Sequence, residues 1–259
     1  MFFTTKSKSD RAEEINGYIE TDFHSHILPC VDDGSKSVEQ SLEMLCRSRK
    51  QGVKRIVATP HFYPDLTNPE LFLEDRRIGV EKLVSAVSEN CSSEDVPRVY
   101  LGAEVAFFNG ISRCAWMKKL CVANSSLLLV EMPFERWNEK VLNELFEIKS
   151  NLGLTVVVAH VERYFSLQSR DIINELFDQD VLIQCNAEAF LKRKTCKKVL
   201  GMLEDGRIDF IGSDCHNLDT RAPNIGEAGK IISQKLGEEP LDDLNKSCDL
   251  FFADVDPIF

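Results

Sequence analysis

From Tyr18 onward the chain alternates short apolar runs with stretches in which apolar residues recur every three or four positions. The short runs cover 18–24, 55–60, 99–105, 126–132, 154–160, 181–186 and 208–213, and the later ones are rich in Val, Leu and Ile without polar alternation. Such runs predict strands buried on both faces. Between them the period turns helical: Val38, Leu42, Leu45 and Cys46 share one face, as do Val80, Leu83, Val84 and Val87, then Val141, Leu145, Ile148 and Leu152, then Ile172, Ile173, Leu176 and Phe177. Strand and helix repeated about seven times predict an α/β fold with parallel pairing through right-handed crossovers. A closed or nearly closed barrel is the better expectation, although periodicity alone also allows an open sheet.

No Pro/Gly/Ser-rich linker interrupts the 259 residues, so one domain over 18–259 is expected. The charged residues 1–17 would precede it as a flexible or partner-docking tail. From Asn224 a helical pattern runs through Ile231, Ile232 and Leu236, and the chain ends in DLFFADVDPIF. Its phenylalanines are expected to pack on the barrel rather than form an interface, and the oligomeric state stays open.

Composition narrows the setting. MFFTTKSKSDRAEE lacks the apolar run of ~7–15 residues of a secretory signal. Apolar stretches such as Leu127 to Val130 fall far short of the ~18 residues of a membrane span. The nine cysteines are odd in number and form no CxxC pair, which suggests reduced thiols in the cytoplasm. The balance of 31 basic against 42 acidic residues, net -11, argues against general affinity for nucleic acid or anionic membrane. An anionic substrate would need a local positive site, such as bound metal.

In barrels the reactive groups gather at the C-terminal ends of the strands. Here strand one ends Asp22-Phe23-His24-Ser25-His26, followed by Asp32-Asp33-Gly34, and strand two ends in His61. The next two end in Glu104 and Glu131, strand five in His160-Val161-Glu162-Arg163-Tyr164, strand six in Gln184-Cys185-Asn186 and strand seven in Asp214-Cys215-His216. All five histidines of the protein lie in that series. One isolated histidine would more often be a surface or core residue than a ligand, but five of five at strand ends reverse those odds. His24 and His26, at alternate positions of an extended segment, point the same way and can reach one ion. Glu104, Glu131 and Asp214 would each be costly to bury without a cation.

The candidate metal ligands are therefore His24, His26, Asp33, His61, Glu104, Glu131, His160, Asp214 and His216. Imidazoles and carboxylates without paired cysteines suit divalent manganese, iron or zinc better than calcium or an iron-sulfur cluster. Nine donors imply two or three ions sharing carboxylates, an arrangement that can ionise a bridging water and clamp the oxygens of an in-line displacement. Three divalent ions would carry about +6 against about -4 from the carboxylates, which leaves a positive centre suited to a phosphate ester. Arg163 and Arg221, close in sequence to His160 and His216, could bind phosphoryl oxygens and stabilise transition-state charge, although a loop arginine is ordinarily a solvated residue or an ion-pair partner.

The segments DFHSHILPCVDDGS, ATPHF, GAEV, VEMP, AHVERY and SDCHN followed by RAP together resemble the polymerase-and-histidinol-phosphatase (PHP) superfamily. More narrowly they are similar to its branch of bacterial manganese-dependent protein-tyrosine phosphatases that accompany capsule and exopolysaccharide synthesis. The match runs from about Asp22 to Pro223, and the combination is far more specific than any one piece. The resemblance implies a distorted seven-stranded β/α barrel with three metal ions, commonly manganese. It implies that His24, His26, Glu104 and Asp214 hold one ion, that Glu131 and His160 hold a second bridged by Glu104, and that Asp33, His61 and His216 serve the third. The phosphate-binding arginines of the family fall on Arg163 and Arg221, and its members act on the tyrosine-rich tail of a tyrosine kinase that controls polysaccharide export. Cys30, Val161 and Cys215 depart from the usual pattern, but none replaces a ligand. A small hydrophobic filler is the expected role of Cys215.

The expected reaction is in-line attack on phosphorus by a metal-bridged hydroxide, with a tyrosine phenolate of pKa ~10 as leaving group. The His-Cys-x5-Arg arrangement of thiolate phosphatases is absent, since Lys36 stands six residues after Cys30, and Cys215, although Arg221 follows it by six, is preceded by Asp214 and not by histidine; the thiolate route is disfavoured, and no Walker loop is present. The alternatives are a small-metabolite phosphatase of the histidinol-phosphate type or a nucleic-acid phosphoesterase on the same scaffold. The latter is disfavoured by net acidity. An amidohydrolase would usually bring a lysine to a strand end, where none occurs. A catalytically idle scaffold for a kinase is the alternative outside enzymes.

Overall fold

In a computed structural model the described residues are 18–259 except Ser93. The expected tail at 1–17 lies outside them. The strands are β1 (Thr21–Ser25), β2 (Arg55–Ala58), β3 (His61–Phe62), β4 (Arg98–Leu101), β5 (Glu104–Ala106), β6 (Leu127–Glu131), β7 (Thr155–Val158), β8 (Leu182–Asn186) and β9 (Phe210–Gly212). The helices are α1 (Val38–Lys50), α2 (Pro69–Asn90), α3 (Glu139–Leu152), α4 (Arg170–Phe177), α5 (Ala187–Leu191), α6 (Cys196–Glu204), α7 (Ile225–Leu236) and α8 (Glu239–Phe252).

The expected second and third strands are each broken in two, at Thr59-Pro60 and at Gly102-Ala103, so seven predicted strands become nine segments. Pro60 has no N–H to give to a ladder. Pairing nevertheless crosses the breaks, with Thr59 N donating to Ser25 O at 2.8 Å, Gly102 N to Ala58 O at 2.9 Å and Glu104 N to Pro60 O at 3.1 Å. Every strand pair is parallel, in the order β1-β2-β4 and then β3-β5-β6-β7-β8-β9. Beyond β9 the chain returns to the first strand: Asp214 N donates to His24 O at 2.7 Å and His26 N to Cys215 O at 2.9 Å. The curled sheet thus meets itself at the end that carries the histidines, a distorted seven-stranded barrel.

Residues on the strands divide between two cores. Phe23, Val57, Tyr100, Leu129, Val157 and Phe210 form one, with the α8 side chain Phe252 packed among them. Ile56, Val99, Leu128, Val130, Val156, Val158 and Ile183 join the larger core with the helices. Burial on both faces is what the unalternated apolar runs required. Phe252 lies 4.4 Å from the Tyr100 ring and Phe251 6.4 Å from that of Phe23, so the terminal phenylalanines do pack on the barrel.

The helices start where the sequence supplies caps. Ser37 accepts from Gln40 N ahead of α1, Asn68 from Leu71 N ahead of Pro69 and α2, and Asn138 from Lys140 N and Val141 N ahead of α3. Gly153 closes α3 at φ 69°, a left-handed position that favours glycine. The buried face of α1 is Ser41, Met44, Leu45 and Ser48, one position round from the expected stripe, so Leu42 and Cys46 are only half-buried. No helix among the described residues is long and apolar enough to cross a membrane.

Candidate functional site

Each strand end delivers a polar side chain to one mouth, and the turns there are shaped for it. Asp214 and His160 both adopt left-handed backbone, at φ 53° and 33°, a conformation that L-residues other than Gly and Asn take at a cost. Gly212 lies under His24: a Cβ there would stand 2.4 Å from His24 Cβ. Gly34 does the same for His26, since its Cβ would meet His26 O at 2.3 Å. Both glycines let backbone press against an imidazole-bearing residue.

The nine expected ligands form one contiguous cluster. His24 Nε2 and His26 Nε2 are 3.1 Å apart, and Glu104 Oε2 stands 3.2 and 3.3 Å from them. Asp214 Oδ1 lies 3.4 Å from His26 Nε2 and 3.8 Å from His24 Nε2. Glu104 also faces His61 Nδ1 through Oε2 at 2.9 Å and His160 Nε2 through Oε1 at 2.8 Å. Glu131 Oε1 is 3.4 Å from His160 Nε2. Asp33 Oδ1 joins His216 Nε2 at 3.3 Å and His61 Nε2 at 3.6 Å. Asp33 is 65 % exposed, the outer edge of the cluster, whereas Glu104 is buried at its centre.

Donor atoms converge closely enough to share an ion in three sets, each within 4.8 Å: His24, His26 and Asp214; His61, Glu104 and Glu131; and His26, Asp33, His61 and His216. This grouping differs from the one implied by resemblance: His26 joins the set of His61 and His216, its ring 3.9 Å from His216 and 4.5 Å from His61, and His160 falls in none of the three sets, meeting the cluster through Glu104 and Glu131. Whether cations fit can be tested on the polar atoms. Glu104 Oε2, His61 Nδ1 and His216 Nε2, all of which face the cluster, are buried without a hydrogen-bond partner. Leaving such atoms unpaired is expensive, and a cation relieves the carboxylate oxygen and the free imidazole nitrogens together. The donor set fits divalent metal.

Without a cation, protons must balance the charge. Burial resists ionisation of His160, yet hydrogen bonds to Glu104 and Glu131 push it up to about 9. His26 is likewise raised, against its burial, by Asp214, Asp32 and Glu104. Glu104 and Asp214 are held well below the carboxylate range, since the facing histidines outweigh burial. His216 is lowered to about 4 by burial and the neighbouring His26 charge.

Both expected arginines point at Asp214. Arg221 Nη2 donates to Oδ1 at 2.6 Å, and Arg163 Nη2 pairs with Oδ2. Both arginine side chains stay about a third exposed, at 34 % and 36 %, while Asp214 is buried.

Sequence reasoning passed over several residues that hold the cluster. Asp32 Oδ2 accepts from His26 Nδ1 at 2.6 Å and from His61 N at 2.9 Å, so the first aspartate of Asp32-Asp33-Gly34 orients rather than faces the mouth. Gln184 Oε1 accepts from His24 Nδ1 at 3.1 Å and His160 N at 2.7 Å. Asn186 Nδ2 donates to Asp214 Oδ2 at 2.9 Å. The available signal was position: Gln184 and Asn186 end a strand, as the ligands do. Cys215 is fully buried and burial pushes its thiol up, which suits a filler.

Residues 20–248 match the family described as capsular polysaccharide synthesis, CpsB/CapC. The chain belongs to that family. Among CpsB/CapC relatives, the tyrosine-protein phosphatase CpsB of Streptococcus agalactiae serotype III (strain NEM316) is 30% identical over 229 residues, covering 84% of this chain and 91% of the relative. The tyrosine-protein phosphatase YwqE of Bacillus subtilis (strain 168) is 27% identical over 227 residues, covering 84% and 85%. A crystal structure from work on B. subtilis YwqE and Streptococcus pneumoniae CpsB, described as unique metal-dependent tyrosine phosphatases, superposes with a TM-score of 0.78. It covers 92% of this chain and 98% of that one at 22% identity, which shows that the family fold is shared.

Proposed function

We propose that this CpsB/CapC protein is a metal-dependent protein-tyrosine phosphatase, with a cytoplasmic bacterial tyrosine kinase controlling capsule or exopolysaccharide synthesis as its substrate. The observation that carries this reading is the convergence on one mouth of eight imidazole and carboxylate side chains able to share ions, with His160 against Glu104 and Glu131 and two arginines directed at Asp214. The names of the relatives point to the same activity. Three sets of donors suit three ions, for which manganese is the first choice by resemblance and iron or zinc the alternatives. Bound, such ions supply Lewis-acid charge that polarises a phosphoryl group and acidifies water.

The residues of the chain supply the rest. Arg163 and Arg221, both partly exposed, bind the non-bridging phosphoryl oxygens and stabilise the charge that grows on them. Asp214 holds both guanidiniums in register. Gln184 and Asp32 fix the orientations of His24 and His26. A phenolate of pKa ~10 leaves without strong help from an acid. The nine free thiols fit a reducing cytoplasm.

The test is metal analysis of the purified protein, with phosphate release measured before chelation, after it and after manganese is restored. Phosphotyrosine peptide, histidinol phosphate and single-stranded DNA serve as parallel substrates. The reading expects activity on the peptide that chelation abolishes and manganese returns. Preference for histidinol phosphate or DNA would replace the substrate class, and tight peptide binding without hydrolysis over hours would favour an idle scaffold.

A further inference from the structure

Beside the cluster runs a groove of about 470 Å³ between the loop after β1 and the start of α2. Asp33 and His61 line both this groove and the candidate metal cluster, so anything held at the cluster has the groove as its neighbour. Its lining joins the apolar side chains of Val31, Leu66 and Phe72 to the carboxylates of Asp32, Asp33 and Asp75. Tyr63 stacks on His61 with ring centroids 4.8 Å apart and continues the wall into the mouth. Leu66 is 81 % exposed, a large apolar surface left uncovered on a loop at the opening. The outer end carries the exposed carboxylate of Asp75, which makes no ion pair among the described residues, and no lysine or arginine lines the groove.

An apolar trough with a free carboxylate at one end matches a particular kind of side chain. Lysine and arginine lay an aliphatic stem along apolar surface and keep a charged head at its end. A wholly apolar side chain would leave Asp75 unused, and an acidic one would meet it as a like charge. The net charge of -11 disfavours acidic flanks further. We propose that this groove, formed by Val31, Tyr63, Leu66 and Phe72 and ending at Asp75, seats a lysine or arginine flanking the phosphotyrosine of the substrate. The inference rests on the phosphatase reading above and adds to it the chemistry of the neighbouring residue.

The experiment uses manganese-loaded full-length protein and phosphotyrosine peptides that differ only in carrying Lys, Gln or Glu at the flanking positions. Turnover of free phosphotyrosine is the control. The expected result is a kcat/KM for the Lys peptide roughly five- to tenfold above that for the Glu peptide, carried by KM, as suits a partly exposed charge pair. Asp75→Lys should abolish or reverse the preference, Asp75→Asn should reduce it, and Thr67→Trp, which fills the trough, should weaken all three peptides. Each variant should leave free phosphotyrosine turnover unchanged. Equal kcat/KM for Lys and Glu peptides in the wild type, or a preference that survives Asp75→Lys, would overturn the proposal.

Peptide binding by fluorescence anisotropy separates this failure from that of the phosphatase reading. Lys-over-Glu discrimination in binding, lost in Asp75→Lys, with no phosphate released from any substrate, would sink the activity and leave the groove standing.

Discussion

The carboxylate of Asp32 stands 2.6 Å from His26 Nδ1, and the same oxygen takes the backbone N–H of His61 at 2.9 Å. One buried acid thereby sets the orientation of one imidazole and the backbone position of another. Burial would raise its pKa, but the hydrogen bond and charge of His26 hold it well below the usual carboxylate range. The pairing leaves His26 Nε2 aimed at Glu104 and Asp214. Replacing Asp32 by Ala should lower metal affinity roughly 10- to 100-fold, the usual loss when the group behind a ligating histidine is removed. Asp32→Asn should lose less, because it keeps an oxygen for the His26 ring. Calorimetric manganese titration of the metal-free proteins measures both, and an unchanged affinity in Asp32→Ala would show that His26 needs no such support.

The two arginines share one carboxylate, yet each side chain stays about a third exposed. Arg163→Ala and Arg221→Ala should each lower kcat/KM on phosphotyrosine peptide by roughly 10²- to 10³-fold. Metal content should stay at the wild-type level, because neither side chain belongs to the ligand set. Lysine should restore only part of the activity, since it cannot offer two parallel donors to a phosphoryl group. Elemental analysis beside the kinetics decides the case: loss of metal together with activity would make the arginines supports of Asp214 instead.

Much of this arrangement was legible in the chain, for a physical reason. A polar group at the C-terminal end of a buried strand stands beside an apolar run, so the candidate ligands His61, Glu104, Glu131, His160 and Asp214 each stood out by contrast with their neighbours. The supporting residues gave less contrast. Asp32 and Asp33 are adjacent and chemically alike, and only the turn around Gly34 decides which faces the mouth and which braces His26. Gln184 and Asn186 are neutral, so burying them carries no charge penalty that would call for a cation. The breaks at Pro60 and Gly102 were equally hidden, because they interrupt the segments while carbonyls of one strand still receive N–H groups from the next. The groove beside the cluster depends on how the loop holding Leu66 folds back toward α2, which no periodicity encodes.

In the metal-free protein, protons compete with metal for the histidine nitrogens. His160 is raised to about 9 and His26 is raised as well, so both hold protons at neutral pH. Manganese must displace those protons, and apparent affinity should climb with pH until about 9. The sign for stability is opposite. A histidine raised in the folded state contributes stability fully below its unfolded value near 6.5, and that contribution fades as pH rises through about 9. Metal-free protein should therefore lose stability between about pH 6.5 and 9, while manganese-loaded protein should not. Titrations in buffers of different ionisation enthalpy would register the released protons, and an affinity flat across that range would contradict the proposed competition.

On the face of β1 that His24 does not share, Phe23 and Phe210 stack with ring centroids 3.8 Å apart, and Phe251 meets both rings edge-on. Phe210 is 5 % exposed, so truncation leaves a cavity that the ring of Phe23 and helix α8 can fill only in part. Phe210→Ala should cost about 3–5 kcal/mol. Because the Phe210 side chain packs on Phe23 and α8 and touches none of the candidate ligands, kcat/KM at a temperature where the variant remains folded should change little. Urea unfolding monitored by circular dichroism supplies the first number, and a stability within about 1 kcal/mol of wild type would show that the terminal helix does not depend on this stack.

Asp22 offers a test of how burial and function share one strand. It is fully buried, two residues before His24. Oδ1 accepts from Ser213 N at 2.8 Å and His24 N at 3.3 Å, while Oδ2 has no hydrogen-bond partner. Burial outweighs those hydrogen bonds and pushes its pKa up to about 6. An acid raised in the folded state binds its proton more tightly there than when unfolded, so stability declines as pH rises from about 4 through about 6. Asp22→Asn keeps an oxygen for the two N–H groups and removes the ionisation. The metal-free variant should therefore match wild type near pH 4 and exceed it by at most about 3 kcal/mol at pH 8. Parallel chemical denaturation across that range reads the difference, and a variant less stable than wild type at pH 8 would mean that the ionised carboxylate itself braces the junction of β1 with the residues after β9.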